Sequence, residues 1–242
     1  MDYHDARIAE IYDVANSWAP DEDFYSLLAA GRPLRILDLG CGTGALCCGL
    51  VERGHRVTGV DPAGAMLAMG RRKPYADRVE WVEATAQSYR SERRFELIVM
   101  TGHAFQCLLT DDQIRAALAT MRLHLGGEGG RVAFETRNPR IDWAKEWAAR
   151  EPVVHTVGGE QVVETLEVTE REGEFISFRT HYHFAQTTLS TSSTLRFPSK
   201  VHVEALMLRS GLAVREVFGD WDGSRFDDAS SREIIFVGEA RD

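Results

Sequence analysis

The stretch Ile36-Leu37-Asp38-Leu39-Gly40-Cys41-Gly42-Thr43-Gly44 constrains the chain most, because an apolar run passes directly into glycines at every second position. Three such glycines let the backbone turn tightly and admit conformations closed to other residues. Helical spacing resumes from Ala45 to Arg53, so the segment reads as strand, turn and helix. Further short apolar runs follow at Val57 to Val60, Val79 to Val82, Leu97 to Met100 and Arg131 to Glu135. Helical stretches separate them, from Pro62 to Arg72 and again from Thr110. The second is well signed: Thr110 caps it, Gln113 completes a capping box, Ile114, Leu118, Met121 and Leu125 form the apolar stripe, and Gly126-Gly127 ends it. Short apolar strands alternating with helices predict an α/β fold with a parallel sheet covered on both faces.

Two regions depart from this rhythm. Residues 3 to 30 read as two helices separated at Pro20, the first with Ile8, Ile11, Tyr12 and Ala15 at helical spacing, the second with Phe24, Leu27 and Leu28. Residues 151 to 198 contain long segments rich in Thr, Val and aromatics, starting at Val162, Phe175 and Thr187, and these predict antiparallel strands. The α/β pattern then returns with a helix capped by Ser199 and ending at Gly211, followed by strands near Ala213 to Phe218 and Glu233 to Val237. Residues 1–242 therefore read as a single domain, with a helical lid over 1–30 and an antiparallel β insert over 151–198 that caps the open end of the sheet.

The net charge of −9 disfavours a nucleic-acid partner, since the basic clusters Arg71-Arg72-Lys73 and Arg90 to Arg94 are short and read as solvated helix ends or loops. No apolar run is long enough for a membrane span, and no secretory leader is evident. Cys41, Cys47, Cys48 and Cys107 have no metal or redox spacing and read as reduced thiols. The expectation is a cytoplasmic protein, monomeric or homodimeric, acting on a small molecule and holding no metal.

The glycine loop has a partner in Asp61, which ends the next strand where an acid accepts hydrogen bonds from both hydroxyls of a ribose. The helix after the loop aims free N–H groups and a partial positive charge at the same place. Gly40, Gly42 and Ala45 also satisfy the dinucleotide pattern. Asp38 argues against a pyrophosphate, which it would repel, and for an ammonium group. The two helices ahead of the first strand point the same way.

On these residues the chain resembles the class I S-adenosylmethionine-dependent methyltransferases, from Tyr12 to Val237. Ile36 to Gly44 looks like their first motif, Val57 to Pro62 their second strand with its ribose acid, Val82 to Ala86 their third-strand end, and Phe95 to Gln106 their fourth strand. The resemblance implies a Rossmann-like seven-stranded sheet, parallel with one antiparallel strand, and the release of S-adenosylhomocysteine. It places Asp38 near the methionine amino group, with Gly40, Cys41 and Gly42 along the methionine moiety and Gly44 also at the cofactor. It places Asp61 on the ribose and Met66 near the adenine, with Pro62 also at the cofactor. Thr85 stands where the family often has Asp, so neighbouring N–H groups at Ala84 and Ala86 are expected to share adenine recognition.

The reacting end is expected after the fourth strand, in Thr101-Gly102-His103-Ala104-Phe105-Gln106, which resembles a run in small-molecule N-methyltransferases related to the glycine, sarcosine and sugar enzymes. Thr101 and Gly102 would border the cofactor. His103 would contact the acceptor, as a base toward a hydroxyl or an orienting group toward an amine, with Phe105 and Gln106 beside it. Tyr12 resembles a lid tyrosine over the sulfonium and also fits a core aromatic. Arg137 is placed to pair with a substrate carboxylate or to face solvent. Trp143 and Trp147, four apart, read as packing residues. His181 and His183 share one strand face without an evident third ligand and read as structural. An NAD(P)-dependent oxidoreductase and a non-catalytic cofactor-binding protein are the competing readings.

Overall fold

Two helices open the chain in the computed structural model, which describes residues 5–127 and 129–241. They are α1 (Ala6–Ala15) and α2 (Pro20–Leu28). Pro20 begins the second helix rather than separating the two. A proline fits the first helical turn, where its missing N–H costs nothing. Glu22 accepts the Ala19 N–H at 2.7 Å, so the break falls just before the proline. Residues 1–4 of the expected lid lie outside the described residues.

The alternating part follows as β1 (Arg35–Leu39), α3 (Ala45–Glu52), β2 (Arg56–Asp61), α4 (Gly64–Gly70), β3 (Glu80–Glu83), β4 (Leu97–Met100), α5 (Asp111–His124), β5 (Arg131–Arg137) and α6 (Trp143–Ala148). Then come β6 (Val153–Val157), β7 (Glu160–Glu172), β8 (Phe175–His183) and β9 (Thr188–Arg196), and finally α7 (Lys200–Arg209), β10 (Leu212–Phe218) and β11 (Glu233–Ala240).

Seven strands make one sheet in the order β10-β11-β5-β4-β1-β2-β3, with β11 antiparallel to both of its neighbours. Alternate residues of each strand serve opposite layers. Leu37, Leu39, Ile98 and Phe134 pack with Leu118, Met121 and Met207 of α5 and α7. Ile36, Val57, Val99 and Ala133 pack with Phe24, Leu46 and Leu50 of α2 and α3. Burial on both faces is why these strands read as unbroken apolar runs. The strand order reverses at β1, which pairs with β2 on one side and β4 on the other, so the loops after β1 and β4 diverge and leave a crevice.

The insert is a four-stranded antiparallel sheet, β6-β7-β8-β9. Its first strand is absent from the sequence reading. Gly158 and Gly159, with φ of +59° and +85°, form the two-residue link between β6 and β7. Such a glycine pair is the hairpin signal that would have revealed it. Trp143, Trp147 and Phe178 join Ile176, Leu195 and Phe197 in a small core that fixes the insert to α6. Ile11 packs on Val162 and Tyr182 of the insert, while Ala9 packs on Ala63 and Met66 beside α4. Helix α1 is thereby wedged between the sheet's helical layer and the insert. Burying Ile11 completely is worth roughly 2 kcal/mol to that arrangement.

Candidate active site

Gly40, Gly42 and Gly44 adopt φ of +79°, +54° and +68°, a region that L side chains seldom enter. At Gly44 a Cβ would stand 2.2 Å from the Trp81 ring, so the third glycine is also required by space. Asp61 holds the loop from the neighbouring strand: its Oδ2 accepts the Gly42 N–H at 3.0 Å and its Oδ1 the Ala63 N–H at 2.8 Å. Tyr12 crosses above, with its ring 3.6 Å from where a Gly42 Cβ would lie and its hydroxyl 3.7 Å from the same point at Gly102. Burial chiefly, with the Asp61 charge second, pushes the Tyr12 hydroxyl well above its ordinary pKa.

Asp38 is 1% exposed. Its Oδ2 accepts from the Cys47 thiol at 3.3 Å, while its Oδ1 is buried with no partner among the described residues. Burial raises this carboxyl to about 7. A buried acceptor left open beside a glycine cradle is costly unless a donor arrives.

The second half of the crevice lies after β4. His103 sits in the left-handed region with φ +59° and its backbone N–H donates to Glu135 Oε1 at 2.5 Å. Glu135 is fully buried and also accepts from the Tyr25 hydroxyl. The His103 ring bonds through Nε2 to Glu233 Oε2 at 2.9 Å and meets Trp221 edge-on at 6.4 Å between centroids. Burial, then the nearby Arg137 charge, lowers the imidazole pKa, with Glu233 opposing. Burial raises Glu135 from 4.5 to about 8. Arg137 donates to Gln106 Oε1 at 2.9 Å and lies over the Trp143 and Trp147 rings at 5.6 and 5.4 Å.

Residues 36–129 match the family model described as a methyltransferase domain. A cypemycin N-terminal methyltransferase from Streptomyces sp is 26% identical, the match covering 98% of this chain and 97% of that protein. The CcbJ methyltransferase from Streptomyces caelestis shares the fold with a TM-score of 0.78 at 21% identity, over 99% of this chain and 98% of its own. A SAM-bound amino pentose methyltransferase from Micromonospora echinaspora gives 0.67 at 21% identity, over 93% and 92%. The chain is a class I S-adenosylmethionine-dependent methyltransferase.

The methyltransferase fits its cofactor on its own residues. The open Asp38 oxygen suits an ammonium, and the cradle left by Gly42 is roomy where a side chain would fill it. On this side of the crevice Tyr12 and Met66 lie against Gly42, Tyr12 lies against Gly102, and Asp61 bonds the Gly42 N–H, with Asp38, Cys41 and Thr101 adjoining them in the chain. Pro62 is exposed at its margin.

Four sequence expectations change. Ala84 donates its N–H to the Asp61 carbonyl at 3.2 Å, extending the β2–β3 ladder, so it is not an open donor for adenine. The Thr85 hydroxyl caps a turn, accepting the Ser88 N–H at 3.1 Å and bonding the Ser88 hydroxyl at 2.8 Å, which leaves Ala86 as the neighbouring backbone group. Phe105 is fully buried and stacks on Phe134 at 4.4 Å, in the core rather than the crevice. Gln106 is fully buried too, its amide donating to the Arg196 carbonyl at 2.9 Å, so it steadies Arg137 from behind. His181 and His183 bond Ser190 and Thr188 across the strand pair at 2.7 and 3.1 Å. Sequence reasoning missed Tyr25, Glu135, Trp221 and Glu233. Only Glu135 carried a signal, an acid inside an otherwise apolar strand.

Proposed function

We propose that this methyltransferase methylates the amine nitrogen of a small-molecule acceptor, with His103 taking the proton. The observation that carries the reading is the His103–Glu233 bond at the crevice. Glu233 accepts from Nε2–H, which leaves Nδ1 as the basic nitrogen. The lowered pKa keeps the ring neutral near pH 7 and ready to receive a proton. Two of the similar proteins are named for an N-terminus and for an amino pentose, which supports nitrogen over oxygen.

When bound, S-adenosylmethionine supplies an electrophilic methyl group, which would pass in line to the acceptor's lone pair as its bond to sulfur breaks and S-adenosylhomocysteine leaves. Asp38 would meet the ammonium of its methionine end, with Gly40, Cys41, Gly42 and Gly44 forming the turn beneath that chain. Asp61 would receive the ribose hydroxyls. Met66, Pro62, Thr85 and Ala86 would border the adenine, and Thr101 with Gly102 the sulfur. Helices α1 and α2 act as a lid through Tyr12, and the insert over 151–198 closes the roof. Excluding water and fixing the acceptor supply roughly 7 to 11 kcal/mol of the barrier reduction. Glu135 acts through the backbone, pinning the strained turn that aims His103.

The test is product release across a panel of amines, phenols and carboxylic acids, with wild type and His103→Ala. The expected result is turnover on amines and a loss of roughly 100-fold or more in His103→Ala near neutral pH. Affinity of that variant for S-adenosylhomocysteine should stay within a few-fold. Unchanged turnover in His103→Ala, or a preference for phenols, would sink the reading.

A further inference from the structure

Two arginines near the site are buried to similar purpose but partnered differently. Arg196 lies against Asp111 and Glu174, each at 2.8 Å. Arg137 ends β5 half-buried, yet among the described residues it forms no ion pair. Its only hydrogen bond there is the one to Gln106. Glu233, its opposite residue on β11, turns to His103 instead. A guanidinium has five N–H donors in a planar fork, so most of this fork is unused. The Trp143 and Trp147 rings and the buried Gln106 amide hold it in place without neutralising it. Glu233 and Glu135 offset this charge only through space, and burial still outweighs them, so an oxyanion arriving from the crevice and bonding the fork directly relieves the remaining cost.

We propose that Arg137 receives a carboxylate of the acceptor, so that the substrate is an amine bearing an acid group, of amino-acid type. This rests on the amine reading above. The spacing follows from the sheet. Arg137 and Glu233 face each other across an antiparallel pair, about 5 Å apart at Cα. His103 and Arg137 therefore flank one residue, and the nitrogen and carboxylate they receive are separated by only a few bonds.

The experiment compares α- and β-amino acids with their methyl esters and decarboxylated amines, on wild type, Arg137→Gln and Arg137→Lys. Wild type should favour the acid by roughly 10- to 100-fold in kcat/KM, as a charge-assisted pair predicts. In Arg137→Gln that gap should close to within a few-fold, and Arg137→Lys should restore part of it. Calorimetry on the protein loaded with S-adenosylhomocysteine should show amino-acid binding lost in Arg137→Gln while affinity for S-adenosylhomocysteine is kept. Equal wild-type rates on acid, ester and amine would overturn the proposal, and so would an Arg137→Gln loss shared equally by all three. Preference for an amino phosphate over the amino acid would replace carboxylate by phosphate. If Arg137→Gln does not fold, the wild-type comparison decides alone. Hydroxy acids and their esters, run in parallel, separate the two readings. Turnover there and not on amines removes the amine assignment, and the acid-over-ester ratio still judges Arg137.

Discussion

Replacing Glu135 by Gln should remove the largest single part of the pH dependence of this protein's stability between pH 6 and 9. The Glu135 carboxyl is fully buried, with the Tyr25 hydroxyl and the His103 N–H as its donors. Its pKa rises from 4.5 to about 8, because burial disfavours the charge more than those two bonds favour it. The folded protein therefore keeps the proton to about pH 8, while the unfolded chain releases it near 4.5. Stability from this group is complete below the unfolded value and is lost as pH rises through the folded one. Between pH 6 and 9 the loss is about 3 kcal/mol by linkage. In a chain of this size that is roughly 6 to 10 °C in melting temperature. In Glu135→Gln the amide oxygen accepts from His103 N–H and the amide nitrogen donates to Tyr25, so the packing is retained without a titrating proton. Urea and thermal unfolding, measured at half-unit steps from pH 6 to 9, should show wild type losing about 3 kcal/mol more than the variant, which keeps the decline set by Asp38 and Glu22. Asp38, raised to about 7, declines in the same direction in both proteins and leaves the difference to Glu135. A variant that falls as steeply as wild type would refute the reasoning.

Two further perturbations probe the other half of the crevice. In Gly44→Ala the new Cβ lies 2.2 Å from Trp81 at a φ of +68°, so the ring and the loop must both shift. A loss of about 1–3 kcal/mol is expected from the backbone alone, with at least tenfold weaker S-adenosylhomocysteine binding by calorimetry. In Asp61→Asn one of the two loop N–H groups, from Gly42 or Ala63, faces an amide N–H instead of an oxygen. The expected cost is about 1–3 kcal/mol, read as a 10- to 100-fold loss of S-adenosylhomocysteine affinity, and unchanged affinity would remove Asp61 from the ribose site.

The local devices were legible because their causes lie within a few residues. The capping box at α5 is one: Gln113 N–H donates to the Thr110 hydroxyl at 3.2 Å, and the Gln113 amide oxygen accepts the Thr110 N–H at 3.1 Å. The glycine turn is another, since its left-handed backbone follows from residue type alone. Asp38 and Asp61 could be placed because each ends or interrupts an apolar run, and consecutive parallel strands bring such ends together. Strand β6 escapes a reading of apolar alternation because Val153 and Val154 are adjacent, and its local mark is the Gly158-Gly159 turn alone.

The acceptor side was decided only by tertiary structure. His103 was named from its place after β4, but its partner stands 130 residues away in β11, and the register of β11 against β5 determines that Glu233 faces Arg137. That register depends on burying Ile235 and Phe236 between the two helical layers. The same packing drew Phe105 and Gln106 into the interior, where apolar contact and a complete set of hydrogen bonds outweigh exposure to the crevice. The cofactor half follows from backbone geometry written into nearby residues. The acceptor half follows from long-range burial, which no local spacing records.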